Sequence, residues 1–238
     1  PVLRAFHNIS SVGHTEKCTD CGIEGAVATP HRYEGNTCKI CGKVLACGEE
    51  VIYWDGTTDS TLADNGESGT AEDPIIIDSA AELHQLARYS TYDTTNGKYY
   101  KVADGIGTIV LQPTGNEAIL DLADAAAVKA YFAGAANLKQ WASGIGYQNL
   151  EFCGNFDGNG VEIYGMYQTA ANNTNGLFPL SDAGAVFKNF ALKNSYVADT
   201  TQNFGGAFVV GRSANNTLAA HADGIITIEN VAVINNYM

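Results

Sequence analysis

Positive charge is scarce. Lys and Arg number 13 against 26 Asp and Glu, which leaves a net charge of −13 over 238 residues. A chain without a basic patch cannot neutralise phosphates, so a nucleic-acid partner is not expected. An anionic membrane surface is disfavoured for the same reason. No apolar run approaches the roughly 20 residues of a membrane span, so no membrane insertion is expected in this fragment. No secretory leader is visible, and the chain starts at Pro1 rather than Met. It reads as a mature or excised piece of something longer. Ile228 to Met238 still reads as strand without a polar cap, which predicts continuation or stacking beyond that point.

Glycine is abundant, at 26 residues. Asn recurs in short clusters flanked by Val, Ile, Tyr, Phe and Thr. This is the composition of many short strands joined by tight turns. The stretch Phe152-Cys-Gly-Asn-Phe-Asp-Gly-Asn-Gly-Val-Glu-Ile163 is the densest example. Asp157-Gly158 and Asn159-Gly160 tolerate left-handed backbone angles, and Val161 and Ile163 resume an alternating apolar pattern. The stretch fits either a hairpin or a corner between stacked strands.

Three regions follow from composition. Residues 1–50 hold five of the six cysteines. Residues 51–73 are rich in Asp, Gly, Ser and Thr and read as a linker. Residues 74–238 carry the apolar periodicity. There, Pro74 to Asp78 reads as a strand, and Ser79-Ala-Ala-Glu82 is a capping box that opens a helix ending near Tyr89 to Thr91. Tyr99 to Val102 and Thr108 to Leu111 read as strands. Asp121 to Gln140 reads as a second helix that Gly134 interrupts.

From Asn149 the chain repeats itself. Lys188 to Val197 aligns with Glu229 to Met238, matching two Asn, an Ala and a Tyr at an offset of 41. Asn175 to Leu180 aligns with Gly205 to Val210 at an offset of 30. Val161 to Met166 is an earlier version of the same strand. Self-similarity of this kind means stacked units, none of which buries its apolar face alone. Val186, Phe190, Leu192, Ile226, Ile228, Val231 and Val233 are expected to point inward. The Asn residues at the bends are expected to stack on their equivalents. The stacked reading makes the Phe152–Ile163 stretch a corner rather than a hairpin. The expected fold is all-β: a right-handed parallel β-helix with short helical insertions, preceded by a small zinc-ribbon-like module.

The order of motifs carries a resemblance. Gly69-Thr-Ala-Glu-Asp-Pro74 with Ile75 to Leu83, Phe152 to Gly160, Asn175-Gly-Leu-Phe178 and Val186 to Leu192 together resemble bacterial cell-surface β-helix proteins with GLUG-type repeats. The resemblance covers about Trp54 to Met238. Its Gly-Leu-Val-Gly box is replaced by Gly-Leu-Phe-Pro and Gly-Ala-Phe-Val. It implies secretion and surface display, and no single activity.

The strongest chemical motif is Cys18-Thr-Asp-Cys21-Gly22 with Cys38-Lys-Ile-Cys41-Gly42. Two such knuckles place four thiolates for a tetrahedral, structural zinc site. His14 and His31 are substitute ligands. A disulfide framework is the alternative, and Cys47 complicates both. Lone Cys153 reads as a small apolar residue. Asp55, Asp59 and Asp64 offer oxygen ligands for calcium, though without Asp-x-Asp-x-Asp-Gly spacing a solvated loop is the simpler reading.

Catalysis has weaker support. Asp157, Glu162 and Glu151 could approach one another as paired carboxyls, but Asp157 sits where its side chain would bond its own backbone. His221 and Asp223 form no recognisable triad. Lys188, Lys193 and Arg212 are too few for a lyase that must neutralise uronates. Tyr89, Tyr92, Tyr99, Tyr100, Tyr164, Tyr167 and Tyr196 could stack on sugars or pack at strand ends. The expected function is a non-enzymatic extracellular or cell-surface structural or adhesion protein, a subunit of a larger assembly. Its partners would be other protein subunits or surface glycans. The alternative is a carbohydrate-binding or polysaccharide-cleaving protein.

Overall fold

The computed structural model describes residues 50–59, 62, 66–141, 151–169, 175–198, 208–213 and 225–238, together with the backbone of five short strands before them. Those five are β1 (Arg4–His7), β2 (Gly13–Cys18), β3 (Thr29–Pro30), β4 (Tyr33–Glu34) and β5 (Thr37–Cys38). β1 to β3 form an antiparallel sheet, and β4 pairs antiparallel with β5.

The main sheet has seven strands, every pair of them parallel. β16 (Thr227–Ile234), β13 (Val186–Lys193), β10 (Asn155–Tyr164), β8 (Tyr99–Val102) and β7 (Ile75–Ile77) lie side by side in that order. β10 is long enough to take a second neighbour, β9 (Ile106–Val110), which pairs in turn with β6 (Glu50–Tyr53). Val51 to Tyr53, expected as the start of the linker, therefore belong to the sheet. Two smaller parallel pairs flank it. They are β11 (Tyr167–Gln168) with β14 (Tyr196–Val197), and β12 (Phe178–Ser181) with β15 (Val210–Ser213).

An all-β right-handed β-helix is therefore not what this sequence forms. The fold is mixed α/β: a seven-stranded parallel sheet with helices. Local helix signals are the physical reason. Ser79 Oγ accepts from Glu82 N at 3.2 Å, and Glu82 Oε2 accepts from Ser79 N at 3.2 Å and Asp78 N at 2.7 Å. This closed capping box starts α1 (Ala80–Tyr89), which packs on β7 and β12. A short α2 (Tyr92–Thr95) follows. The expected helix 121–140 is shorter. A 3-10 turn spans Glu117–Asp121, and α3 (Ala125–Gly134) begins only where Asp124 Oδ1 caps Ala127 N at 2.8 Å. It ends at Gly134, where a break was expected.

The Asp157 to Gly160 segment is neither hairpin nor corner, because β10 runs straight through it. Asp157 faces Lys188 and Val161 faces Phe190, so four steps on β10 match two on β13. This is a bulge, made with left-handed backbone at Asn159 (φ 53°) and Gly160 (φ 84°). Asp157 Oδ1 accepts from Asn159 N at 2.9 Å, the local bond its position predicts. Gly158 is required by proximity, since a Cβ there would lie 2.5 Å from Phe190 Cβ.

The repeat at offset 41 is reproduced residue for residue between β13 and β16. The other repeat is not: Phe178 faces Val210 and Leu180 faces Arg212, an offset of 32 instead of 30. Phe187, not Val186, is the fully buried residue at the start of β13. Asn189 adopts φ 60°, so strict alternation cannot continue across it. The core is aromatic here. Phe178 lies 4.6 Å from Phe187, 5.0 Å from Phe152 and 5.2 Å from Phe156, ring centre to ring centre.

Candidate functional site

Parallel, nearly in-register strands put like positions in columns. The first column is charged and alternates in sign. Lys101, Asp157, Lys188 and Glu229 stand on neighbouring strands β8, β10, β13 and β16. Lys188 Nζ is 3.5 Å from Asp157 Oδ2. Beside it runs a carboxamide ladder. Asn159, Asn189 and Asn230 all hold left-handed backbone, with φ between 51° and 60°. Asn230 Nδ2 donates to Asn189 Oδ1 at 2.9 Å, and Asn189 Nδ2 donates to Asp157 Oδ1 at 2.9 Å. Asn159 Nδ2 donates onward to Val102 O at 3.1 Å and Asp104 Oδ1 at 2.8 Å. Every amide in the ladder points its donors the same way, from β16 toward β8. Asn230 Oδ1 therefore faces the other side with no donor among the described residues.

The apolar columns end at the same place. Tyr100, Phe156 and Phe187 are buried, but Ile228, next in their column, is 52% exposed. Ile109, Ile163 and Leu192 are at 0%, but Val233 is 47% exposed. Ile225 and Met238 are exposed as well. Among the described residues, no strand pairs with the other side of β16. This open side is the candidate site, an edge with unpaired backbone and an apolar face.

Comparison with protein-family models, curated proteins and solved structures gives no match.

The residues singled out from sequence are placed as follows. Cys18 lies in β2, His14 in the same strand and Cys38 in β5, where only the backbone is described. Cys21, Cys41, Cys47 and His31 lie outside the described residues, as do Asp64, His221 and Asp223. Among the described residues, no three His, Cys, Asp or Glu side chains come together to hold a metal. Asp55 is turned inward on its own loop: its Oδ1 accepts from Thr57 N at 2.8 Å and Thr57 Oγ1 at 2.6 Å. Those bonds hold its carboxyl below the ordinary value.

Glu162 is buried, with Lys193 Nζ 2.9 Å from Oε1 and the Tyr164 hydroxyl donating to Oε2 at 2.6 Å. Burial, then the carboxylate, drives the Tyr164 phenol far up. Asp157 and Glu162 are thus each engaged in structural bonds. The Tyr196 ring lies 5.8 Å from Tyr167 and 5.2 Å from Tyr237, centre to centre, and Phe132 of α3 stacks on Tyr167 at 5.2 Å. Of the tyrosines considered for sugars, Tyr89 and Tyr100 line a cleft of about 260 Å³ with Gln85, Thr94 and Lys98. Cys153 is buried with its sulfur 3.4 Å from Thr95 Oγ1, and burial raises its thiol.

One cluster was missed. His84, Trp54 and Trp141 pack together with ring centres 4.6 to 4.9 Å apart. Arg88 is buried beneath Trp141. Its Nη2 donates to Trp141 O and Gly176 O, the same two carbonyls that Gln168 Nε2 reaches. The spacing held a clue. Ala80, Leu83, His84, Ala87 and Arg88 follow the i, i+3, i+4, i+7, i+8 stripe of a buried helix face.

Proposed function

We propose that this chain is a non-enzymatic structural or adhesion protein of the extracellular space or cell surface, held in a larger assembly through the open side of β16. The observation that carries the reading is the sudden exposure of columns that are buried one strand earlier. Ile228 and Val233 are dry positions left wet, and covering them is favourable by roughly 25 cal/mol for each Å². The acidic charge supports a partner that is neither nucleic acid nor anionic membrane.

Retention on the surface of the producing cells tests it. Wild type is expected to stay bound, and the Ile228→Lys, Val233→Lys double variant to be released into the medium. Equal release would defeat the reading. The cleft beside Tyr89 and Tyr100 favours a second one, a carbohydrate-binding protein. Glycan binding that disappears in Gln85→Ala would support that instead.

The reading retains a structural zinc held by Cys18, Cys21, Cys38 and Cys41, supported by the spacing of the two knuckles. Elemental analysis of the purified chain should give about one zinc per chain. No zinc and no free thiol at these four positions would indicate disulfides.

A further inference from the structure

A cleft of about 260 Å³ opens where α1 and α2 meet β7 and β8. Its floor is apolar. Leu62, Ile75, Leu86 and Tyr100 present only a little surface there, each between 1% and 9% exposed. That is room for a methyl group and not for a long alkyl chain. The volume lies just below the roughly 300–1,000 Å³ of sites for drug-sized ligands, so it seats one ring and not an oligomer.

The rim is polar and held in place. The turn behind Glu67 is pinned by three bonds: Ser68 N donates to Asp73 Oδ2 at 2.8 Å, Lys98 Nζ to Ser68 O at 2.9 Å, and Tyr99 N to Gly69 O at 3.0 Å. The Glu67 carboxylate and the Gln85 amide themselves have no hydrogen-bond partner among the described residues. Lys98 uses one of its three donors on Ser68. The half-buried Tyr89 ring sits edge-on to His84 at 6.0 Å and forms a fixed wall.

These features select among sugars. One carboxylate and one ammonium share the rim, so a uronate or a free amino sugar would meet a like charge there. The net charge of −13 also repels polyanionic glycans. A plain hexose is neutral, but it would set hydroxyls against the aliphatic floor, where they lose water without gaining a partner. An acetamido group matches both halves of the cleft. Its methyl suits the floor, its N–H suits the Glu67 carboxylate, and its C=O suits the Gln85 amide.

We propose that this cleft binds one neutral acetamido sugar residue, with the acetamido methyl on Ile75 and Leu86 and the N–H donating to Glu67. This rests on the carbohydrate reading of the cleft, names its ligand, and is independent of the open side of β16.

Chemical-shift titration of the full chain with four methyl glycosides is the test: N-acetylglucosamine against glucose, and N-acetylgalactosamine against galactose. In at least one pair the acetamido sugar should bind about tenfold more tightly, and the methyl signals of Ile75 and Leu86 should move with it. Glu67→Ala should remove that advantage. Its melting temperature should not change, because Glu67 makes no bond to the described residues. Equal binding within both pairs, or an advantage that Glu67→Ala leaves intact, would refute the acetamido ligand and leave the carbohydrate reading standing. Binding of none of the four would overturn the proposal, and glycan binding lost in Gln85→Ala would in that case still uphold the carbohydrate reading. Absence of all glycan binding would remove both.

Discussion

Asn189→Ala should cost about 3 to 4 kcal/mol of folding stability, and Asn189→Gly about 2. The difference separates two jobs done by one residue. Asn189 is fully buried and holds φ 60°. An alanine forced into the left-handed region loses roughly 1 to 2 kcal/mol, while glycine is at home there. Both variants lose the bond to Asp157 Oδ1 and the one from Asn230 Nδ2, at roughly 1 kcal/mol each. Urea unfolding at constant slope reads both values. Equal losses for Ala and Gly would assign everything to the ladder and nothing to the backbone. A loss below about 1 kcal/mol would mean that the ladder is ornamental.

The second large effect is acid destabilisation through His84. Its ring lies between Trp54 and Trp141, 5% exposed, with Nδ1 2.7 Å from Thr58 Oγ1. Burial, with help from the neighbouring Arg88, pushes its pKa down to about 3. In the unfolded chain it titrates near 6.5. The unfolded state therefore takes up the proton first. The stabilisation is complete above pH 6.5 and is lost as pH falls toward 3. The slope is up to about 1.4 kcal/mol per pH unit, about 4 to 5 in all. His84→Phe keeps the aromatic packing and gives up the Thr58 bond. It should be less stable at pH 8 and visibly flatter between pH 6.5 and 5. Parallel melting curves for the two proteins across that window would clear His84 of the effect.

Sequence reasoning reached furthest where one residue type has one physical use. The Ser79–Glu82 box, the Gly134 helix end, the Asp157 turn bond and the stacked Asn positions follow from local chemistry. The global class did not. Period-2 apolar patterns and a repeat indicate parallel stacked strands, but say little about how much helix is laid against them. The bulge at Asp157 to Gly160 was read as the end of a strand. Asp-Gly and Asn-Gly dipeptides report backbone freedom, and a chain can use that freedom to widen a strand as readily as to stop it. The candidate site was half legible. The uncapped strand from Ile228 was visible in the sequence. The alternating charge column was not, because its members lie 56, 31 and 41 residues apart and only the register aligns them.

That register has a consequence for how such a chain can change over generations. β10 to β13 is spanned in about 30 residues and β13 to β16 in 41, yet Asn189 bonds Asp157 on one side and Asn230 on the other, and apolar residues face apolar residues across both pairs. The Asn positions act as keys that each strand finds independently of the length of chain before it. Insertions and deletions in the connections are therefore nearly neutral for the core, with a closure cost that grows only slowly with length. A single-residue deletion inside β13 would instead throw every column out of step. Length variation among descendants of this sequence should accumulate between the strands, with the Asn keys and their flanking apolar pairs left at constant spacing.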